Sequence, residues 1–543
     1  MRTEQSRRLA ARGMIAGVLT AAVSVGVGQL VAGFTGPEGS PVVAVGSLSI
    51  DFSPPPVKDF AIKAFGSHDK LVLVAGILVL LAIYAAWIGT LAVRKFSRGL
   101  EGLAIFAAIG LLSAVTRPGW APADTLPTVV GTITAVISLY WLVKAAGSAE
   151  LAPPRAAVPP AAVLPAAAPG STGVATPPGR IAPGRPPQPD RRRFIVTSAT
   201  VAGAAAVAGL AGRKLAEDAS VAKERATIRI PAPATLAPEL PPGTHFDIPG
   251  LSPFITPNSS FYRVDTAIVL PEVPATSWSL KIHGMVEREL EISFKELLKQ
   301  PLVEDYLTLT CVSNEVGGPY VGNAKWLGAS LPRLLRKAGI KAGADQIVAT
   351  SADGFTSGTP IQAVMDGRDA LLAIAMNGTA LPVAHGFPVR MVVPGLYGYV
   401  SACKWITDIE VTTFAQNHAY WTTRGWDQQA PIKTESRIDT PTGLTTQNPG
   451  KVAVAGVAWA QHKGIEAVEA RADNGPWQEA RLATVPGIDT WRQWVWEWDA
   501  TPGRHLIQVR ATDKTGYTQT AVEAPPAPNG ASGYPGVEVT INS

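Results

Sequence analysis

Leu307-Thr308-Leu309-Thr310-Cys311-Val312-Ser313-Asn314-Glu315 reads as a strand that ends on a cysteine and opens into a polar turn. The chain has only two cysteines in 543 residues, the other being Cys403. A thiolate is a soft ligand suited to a transition metal, and at a strand end facing a polar loop it can hold a metal whose other ligands come from a cofactor. The same residue can equally be a small core hydrophobe, since free cysteine is among the most buried residue types. Two cysteines exclude a four-cysteine iron–sulfur cluster, a tetrathiolate zinc site and a disulfide framework. A single Cys311–Cys403 bridge stays arithmetically open and would consume the candidate ligand.

Working outward, the strand is followed by Trp326-Leu327-Gly328 and by Ala352-Asp353-Gly354-Phe355. The densest run comes next: Met376-Asn377-Gly378, Leu381-Pro382, His385-Gly386-Phe387-Pro388-Val389-Arg390, Val393-Pro394-Gly395, Tyr397-Gly398 and Lys404-Trp405. This order of landmarks resembles the sulfite oxidase family of molybdopterin enzymes over roughly residues 245 to 543. The resemblance implies that Cys311 is the single protein ligand of molybdenum, with two further sulfurs from the dithiolene of the pterin. It also implies cofactor contacts from Asn258, Tyr262 and Arg263, from Asp353, from the pair His385 and Arg390, and from the segment Ala402, Cys403 and Lys404. A guanidinium can fork onto a terminal phosphate, and an imidazole can donate to a phosphate or pterin oxygen. Two departures stand out. Val264 and Asp265 occupy positions where the family usually has Asn and His, and the interval from Arg390 to Lys404 is one residue longer than the family spacing.

The substrate end departs further. The family commonly carries Asn-Arg-Arg just after the metal cysteine, where permanent bidentate charges suit an oxyanion. Here Asn314 is followed by Glu315, Val316 and Gly317, and a carboxylate there repels sulfite unless it is paired. Arg424 in the run Ala419 to Arg424 is a candidate compensating cation, and Tyr420 a candidate donor, so both join Cys311 as expected catalytic residues. The resemblance implies two-electron oxygen-atom transfer on a small, sulfur-containing substrate. Two alternatives stay open: a sulfoxide reductase of the methionine-sulfoxide reductase type, and a non-catalytic membrane-bound receptor or assembly subunit that keeps the fold.

Composition bounds the rest. The chain is 47% hydrophobic and 16% charged, with the charge concentrated in the second half, which points to membrane spans in the first. A net charge of +5 with dispersed Lys and Arg does not suggest nucleic-acid binding. Apolar runs near residues 13–34, 71–93, 100–116 and 126–145 form four candidate spans, and 194–212 a weaker fifth. All but the third are close to the roughly 20 residues needed to cross a bilayer. Basic groups at Arg2, Arg7, Arg8 and Arg12, at Arg94, Lys95 and Arg98, and at Arg191, Arg192 and Arg193 fall in the cytoplasm by the positive-inside rule. Lys58, Lys63 and Lys70 in the first external loop are a mild counter-signal. Residues 213–543 are then expected on the extracytoplasmic side of a multi-pass plasma-membrane protein.

The expected organisation is multidomain. A four-helix transmembrane region (1–145) precedes a Pro/Ala-rich linker (146–190) and a segment, 191–212, that is either a fifth span or an internal twin-arginine signal. An α+β molybdopterin-binding domain (245–430) follows, and then an all-β region (431–543) of alternating strands with a turn at Asp473-Asn474-Gly475. By resemblance this last region is an immunoglobulin-like sandwich serving dimerisation. Trp494, Trp496 and Trp498 lie on one face of a strand and are expected in its core. With no Cys-x-x-Cys-His run, and seven histidines that avoid the span centres, no haem is expected. The expected partners are a small-molecule substrate, membrane lipid, a separate electron-transfer protein and a second copy of the chain.

Overall fold

The computed structural model describes residues 2–36, 39–54, 57, 69–117, 120–147, 191–218 and 221–543. The linker from residue 148 onward, together with Lys58, Lys63 and His68, lies outside the described residues. The chain divides into two compact units, Met1–Ala219 and Ser220–Ser543.

In the first unit five helices are long and apolar enough to cross a membrane: Ser6–Thr35, Lys70–Ala92, Phe96–Val115, Pro122–Ala146 and Arg191–Leu215. The third starts at Phe96, four residues before the apolar run read from sequence, and so reaches 20 residues. A further apolar helix, Pro41–Phe52, was not anticipated; Pro41 sits in its first turn, where a missing N–H costs nothing, and its 12 residues are too few to span. Small residues bring the helices close. Gly13 and Gly17 face Gly89 and Ala85, while a Cβ on Gly26 would lie 2.6 Å from the Ala205 carbonyl and one on Gly212 2.6 Å from that of Gln29. Such close backbone approach is how apolar helices associate where burial from water gives no net gain. The helix Arg191–Asp218 is thereby packed along Arg2–Thr35.

The second unit is α+β in its first part. One sheet runs in the order Leu290–Ser293, Ser279–Gly284, Ile406–Thr412, Gln346–Ser351, Thr356–Pro360. The other runs Leu302–Thr310, Val321–Ser330, Leu371–Met376, Thr379–Ala380, with Arg390–Val392 also pairing Leu371–Met376. The two share one apolar core that includes Leu280, Ile282, Leu307, Trp326, Leu335 and Ile409. Asn377 and Gly378, at φ +51° and +78°, make the two-residue hairpin that their sequence favours. The packed unit begins upstream of residue 245. Ala234 donates to Leu302 O at 2.8 Å, Glu304 donates to Thr235 O at 2.9 Å, and Ile228, Ile230 and Ala237 pack on the core.

From Glu435 onward the chain is β-rich, in two sheets. The first is ordered Glu435–Thr440, Gly450–Trp459, Arg492–Ala500, Arg481–Leu482, and the second Thr445–Gln447, Gly536–Ile541, Gly503–Asp513, Ile465–Ala472, Gln478–Glu479. Their facing residues form one cluster, with Trp494, Trp496 and Trp498 buried in it, as period-two geometry requires. Packing does not break near residue 430: Val457, Trp459 and Trp491 belong to the core of the preceding α+β part.

Trp326-Leu327-Gly328 owes its shape to this packing. Trp326 is fully buried and its indole donates to Leu307 O at 3.1 Å. At Gly328 a Cβ would collide with the Leu372 carbonyl and lie 2.7 Å from Ala373 Cα on the neighbouring strand. Gly328→Ala is therefore expected to destabilise the second unit by about 1–3 kcal/mol. Denaturant unfolding of the full chain should show a lower midpoint at an unchanged slope; an unmoved midpoint would mean that the strands separate without cost.

Candidate active site

Cys311 is placed by the strand pair that ends beside it. Thr310 pairs with Val321, after which Cys311 N–H donates to Tyr320 O at 2.9 Å and Asn314 N–H to Cys311 O at 3.1 Å. Asn314 closes the loop by accepting Tyr320 N–H on Oδ1 at 2.7 Å. Its Nδ2 is buried without a partner among the described residues. Cys311 is 8% exposed, and burial pushes its thiol pKa up, against hydrogen bonds from Ser313 and the charge of Lys404. A coordinated metal is what deprotonates such a thiol. Both cysteines are free, so the bridge left open by the sequence is not formed.

Aromatic residues surround it. Tyr262 stacks on Phe261 at 5.3 Å and tilts against Tyr320 at 6.3 Å. Burial raises the Tyr262 hydroxyl, Cys311 adds to the rise and the charge of Arg390 opposes it. A Cβ on Gly398, at the start of the helix Gly398–Ser401, would lie 3.7 Å from Thr310 O and 3.9 Å from the Tyr262 hydroxyl.

Beyond Tyr262 lies a cluster of cations. Arg390 is 5% exposed and sits over the Trp326 ring at 5.0 Å. Its Nη1 donates to His385 O at 3.2 Å and Nη2 to Ala402 O at 3.4 Å, while Nε has no partner among the described residues. Burial lowers its pKa to about 10, so it stays charged at neutral pH. No carboxylate forms a salt bridge with it among the described residues. Lys404 donates to Asp265 Oδ2 at 2.7 Å and to Ala384 O at 3.3 Å, and burial brings it down to about 8 despite that carboxylate. Arg263 grips the same carboxylate through Nε and Nη2, at 2.8 and 3.2 Å. Arg263 and Lys404 thus share one carboxylate, and the buried Arg390 adds a third positive charge, an excess suited to an anion.

Asp265 therefore has a different meaning from the one read in the sequence. There it stood as a missing cofactor contact; here it is the counter-charge that orients Arg263 and Lys404. His385 also differs from expectation. Burial, then Arg390, lowers its pKa to about 4, so the ring is neutral. Its Nε2 lies 3.2 Å from Asn258 O, and since a carbonyl only accepts, Nε2 carries the proton. Nδ1 is then an acceptor, suited to a pterin N–H and unsuited to donating to a phosphate.

The other expected residues are dispersed. The Asn258 side chain is occupied, donating to Met376 O and Thr379 Oγ1 and accepting from Asn377. Ala402 offers its carbonyl to Arg390, and the Cys403 thiol is turned into the apolar core, which leaves only its backbone for any cofactor. Asp353 caps its own turn by accepting Phe355 N–H at 3.2 Å. Arg424 lies over the Tyr420 ring at 3.5 Å and donates to Tyr420 O at 2.8 Å, within an aromatic group that includes Phe355, Trp421 and Trp426. Glu315 is exposed. Trp326 as the ring beneath Arg390, and Tyr397 near Cys311, escaped the sequence reading, although both lie in its landmark runs.

The sequence profile described as the oxidoreductase molybdopterin binding domain matches residues 267–421. A crystal structure of the sulfane dehydrogenase of Paracoccus pantotrophus is similar with a TM-score of 0.47 and 24% identity, over 53% of this chain and 81% of that one. The sulfite oxidase of Arabidopsis thaliana is 28% identical over 285 residues, 44% of this chain and 72% of that protein. That of Gallus gallus is 30% identical over 327 residues, 50% of this chain and 69% of its own length. With more than two thirds of that relative covered and the molybdopterin-binding profile spanning Cys311 and Arg390, the chain belongs to the sulfite oxidase family of molybdopterin-dependent oxidoreductases.

Proposed function

We propose that Cys311 is the protein's ligand to molybdenum and that Arg390 grips the anionic far end of the molybdopterin, in an enzyme that moves an oxygen atom between water and a small sulfur-containing substrate. The observation that carries this reading is the Arg390 guanidinium, buried, without a carboxylate and with an unused Nε donor. Such a charge is costly to bury alone, and a bound phosphate offsets that cost. Arg263 and Lys404 extend the positive field, His385 Nδ1 accepts from the pterin, and Tyr262 borders the pocket between metal and phosphate ends. The cofactor, when bound, supplies a centre able to exchange two electrons with the substrate, and the protein binds, orients and tunes it.

At the substrate end, Tyr420 and Arg424 are proposed as contacts on the rim. A second reading, reduction of a neutral sulfoxide, is favoured by the loop 312–318, which carries no cation after Cys311. The cofactor implied is molybdopterin, with electrons passing to or from a separate protein. The two C-terminal sheets are read as an immunoglobulin-like dimerisation module.

The first unit is proposed to tether the enzyme as five plasma-membrane spans. In support, Leu9, Val93, Phe96, Val143, Ala146 and Phe194 share one cluster, and Arg12 donates to Ala146 O at 3.3 Å. These contacts gather the three basic groups at one end of the bundle, the arrangement that the positive-inside rule assigns to the cytoplasm. The close packing of Arg191–Asp218 along Arg2–Thr35 supports a retained fifth span over a removed signal.

Cys311→Ser is expected to abolish turnover while shifting unfolding by no more than about 2 kcal/mol, because a hydroxyl is a poor ligand of nearly the same size. Full turnover in that variant would remove Cys311 from the metal site. Arg390→Ala should purify with molybdenum reduced about tenfold or more, the loaded fraction turning over near the normal rate per metal atom, and Arg390→Lys should recover part of the loading. Full loading with lost activity would instead assign Arg390 to the substrate. Protease added outside intact cells should cut within 213–543 and spare 146–190; external cleavage of the linker would overturn the five-span topology.

A further inference from the structure

We infer that the C-terminal sheets hold the Cys311 loop in its ligating position, with Gln461 and Arg437 as the positioning residues. The inference rests on the reading of Cys311 as metal ligand and goes beyond it. The strand Leu302–Thr310 lies at the end of its sheet in this region, so alternate backbone groups of its outer edge need partners from elsewhere. At Thr308 they come from the C-terminal part. Thr308 N–H donates to Asp489 O at 2.9 Å, Thr308 O accepts from Gln461 Nε2 at 3.2 Å, and Thr308 Oγ1 accepts Trp491 N–H at 2.8 Å.

Gln461 then reaches one step closer to the metal ligand. Its Nε2 also donates to Thr310 Oγ1 at 2.9 Å, on the residue that immediately precedes Cys311. Gln461 is 2% exposed, and its Oε1 has no partner among the described residues, so the amide is held only through the end that faces the strand. The far side of the loop is held as well. Arg437 Nη1 donates to Gly318 O at 3.2 Å, while its Nε binds Asp439 Oδ1 at 2.6 Å and its Nη2 binds Ser252 Oγ at 3.0 Å. Between these two points the loop also carries bonds of its own, among Cys311, Asn314 and Tyr320 and from Gly318 N–H to Glu315 O at 2.8 Å. A ligand on such a loop takes its direction from whatever fixes the ends, and groups that orient a ligand tune the metal without touching it.

The test uses the full chain loaded with molybdenum and reads the thiolate-to-molybdenum charge-transfer absorption and the rate at which metal is lost during incubation. Gln461→Leu and Arg437→Gln should each displace the band and speed metal loss roughly tenfold or more. Val454→Ala, which loosens the C-terminal core away from the loop, should leave both readouts at the parental value. Should Gln461→Leu fail to fold, Arg437→Gln decides alone. An unmoved band and unchanged metal retention in the folded variants would overturn the inference, as would an equal shift in Val454→Ala. A parental band that survives Cys311→Ser would instead overturn the ligand assignment itself.

Discussion

A guanidinium removed from water, with no carboxylate to meet it among the described residues, is the constraint on which the second unit depends. Arg390 is tolerated because the fold surrounds it with partial compensation: two carbonyls, from His385 and Ala402, and the face of Trp326. Each partner is supplied by a different part of the chain, and each is fixed by packing. Trp326 is locked by its bond to Leu307 O and by the strand contact that only Gly328 permits, and Ala402 lies at the end of the helix Gly398–Ser401. These bonds leave the Nε donor without a partner among the described residues, so the arrangement is not a closed structural network.

The neighbouring charges extend that arrangement. One carboxylate, Asp265, serves both Arg263 and Lys404, aligning them without cancelling the positive excess. That excess, with burial, keeps His385 neutral, and the Asn258 carbonyl then fixes which ring nitrogen carries the proton. Donors and acceptors around the pocket are thus assigned by electrostatics at a distance as much as by contact.

The membrane-type unit is built on a different principle. Its helices are apolar on most sides, and small residues at Gly13, Gly17, Gly26, Ala85, Gly89, Ala205 and Gly212 let their backbones approach. The basic residues at one end of the bundle lie outside this packing, where Arg12 meets the last carbonyls of Pro122–Ala146 and the ring of Phe194. A cation at a helix C-terminus is favoured by the helix dipole, so Arg12 helps to close that end of the bundle.

Local chemistry was legible in the chain itself. Span length, the Asn377-Gly378 hairpin, the alternating tryptophans and the strand ending on Cys311 follow from composition and periodicity within about 20 residues. The ordered landmarks around His385 and Arg390 identified the family. The tertiary structure decided what depends on distant partners: Lys404 meets Asp265 across 139 positions, His385 meets Asn258 across 127, and Gln461 meets Thr310 across 151. It also decided that Cys403, just after the helix Gly398–Ser401, is buried with the apolar core, while Cys311 ends the strand Leu302–Thr310. Periodicity records which face of an element is buried, because burial repeats along the chain. It carries no record of which charge will stand opposite another, because that is settled only when separate elements are brought together.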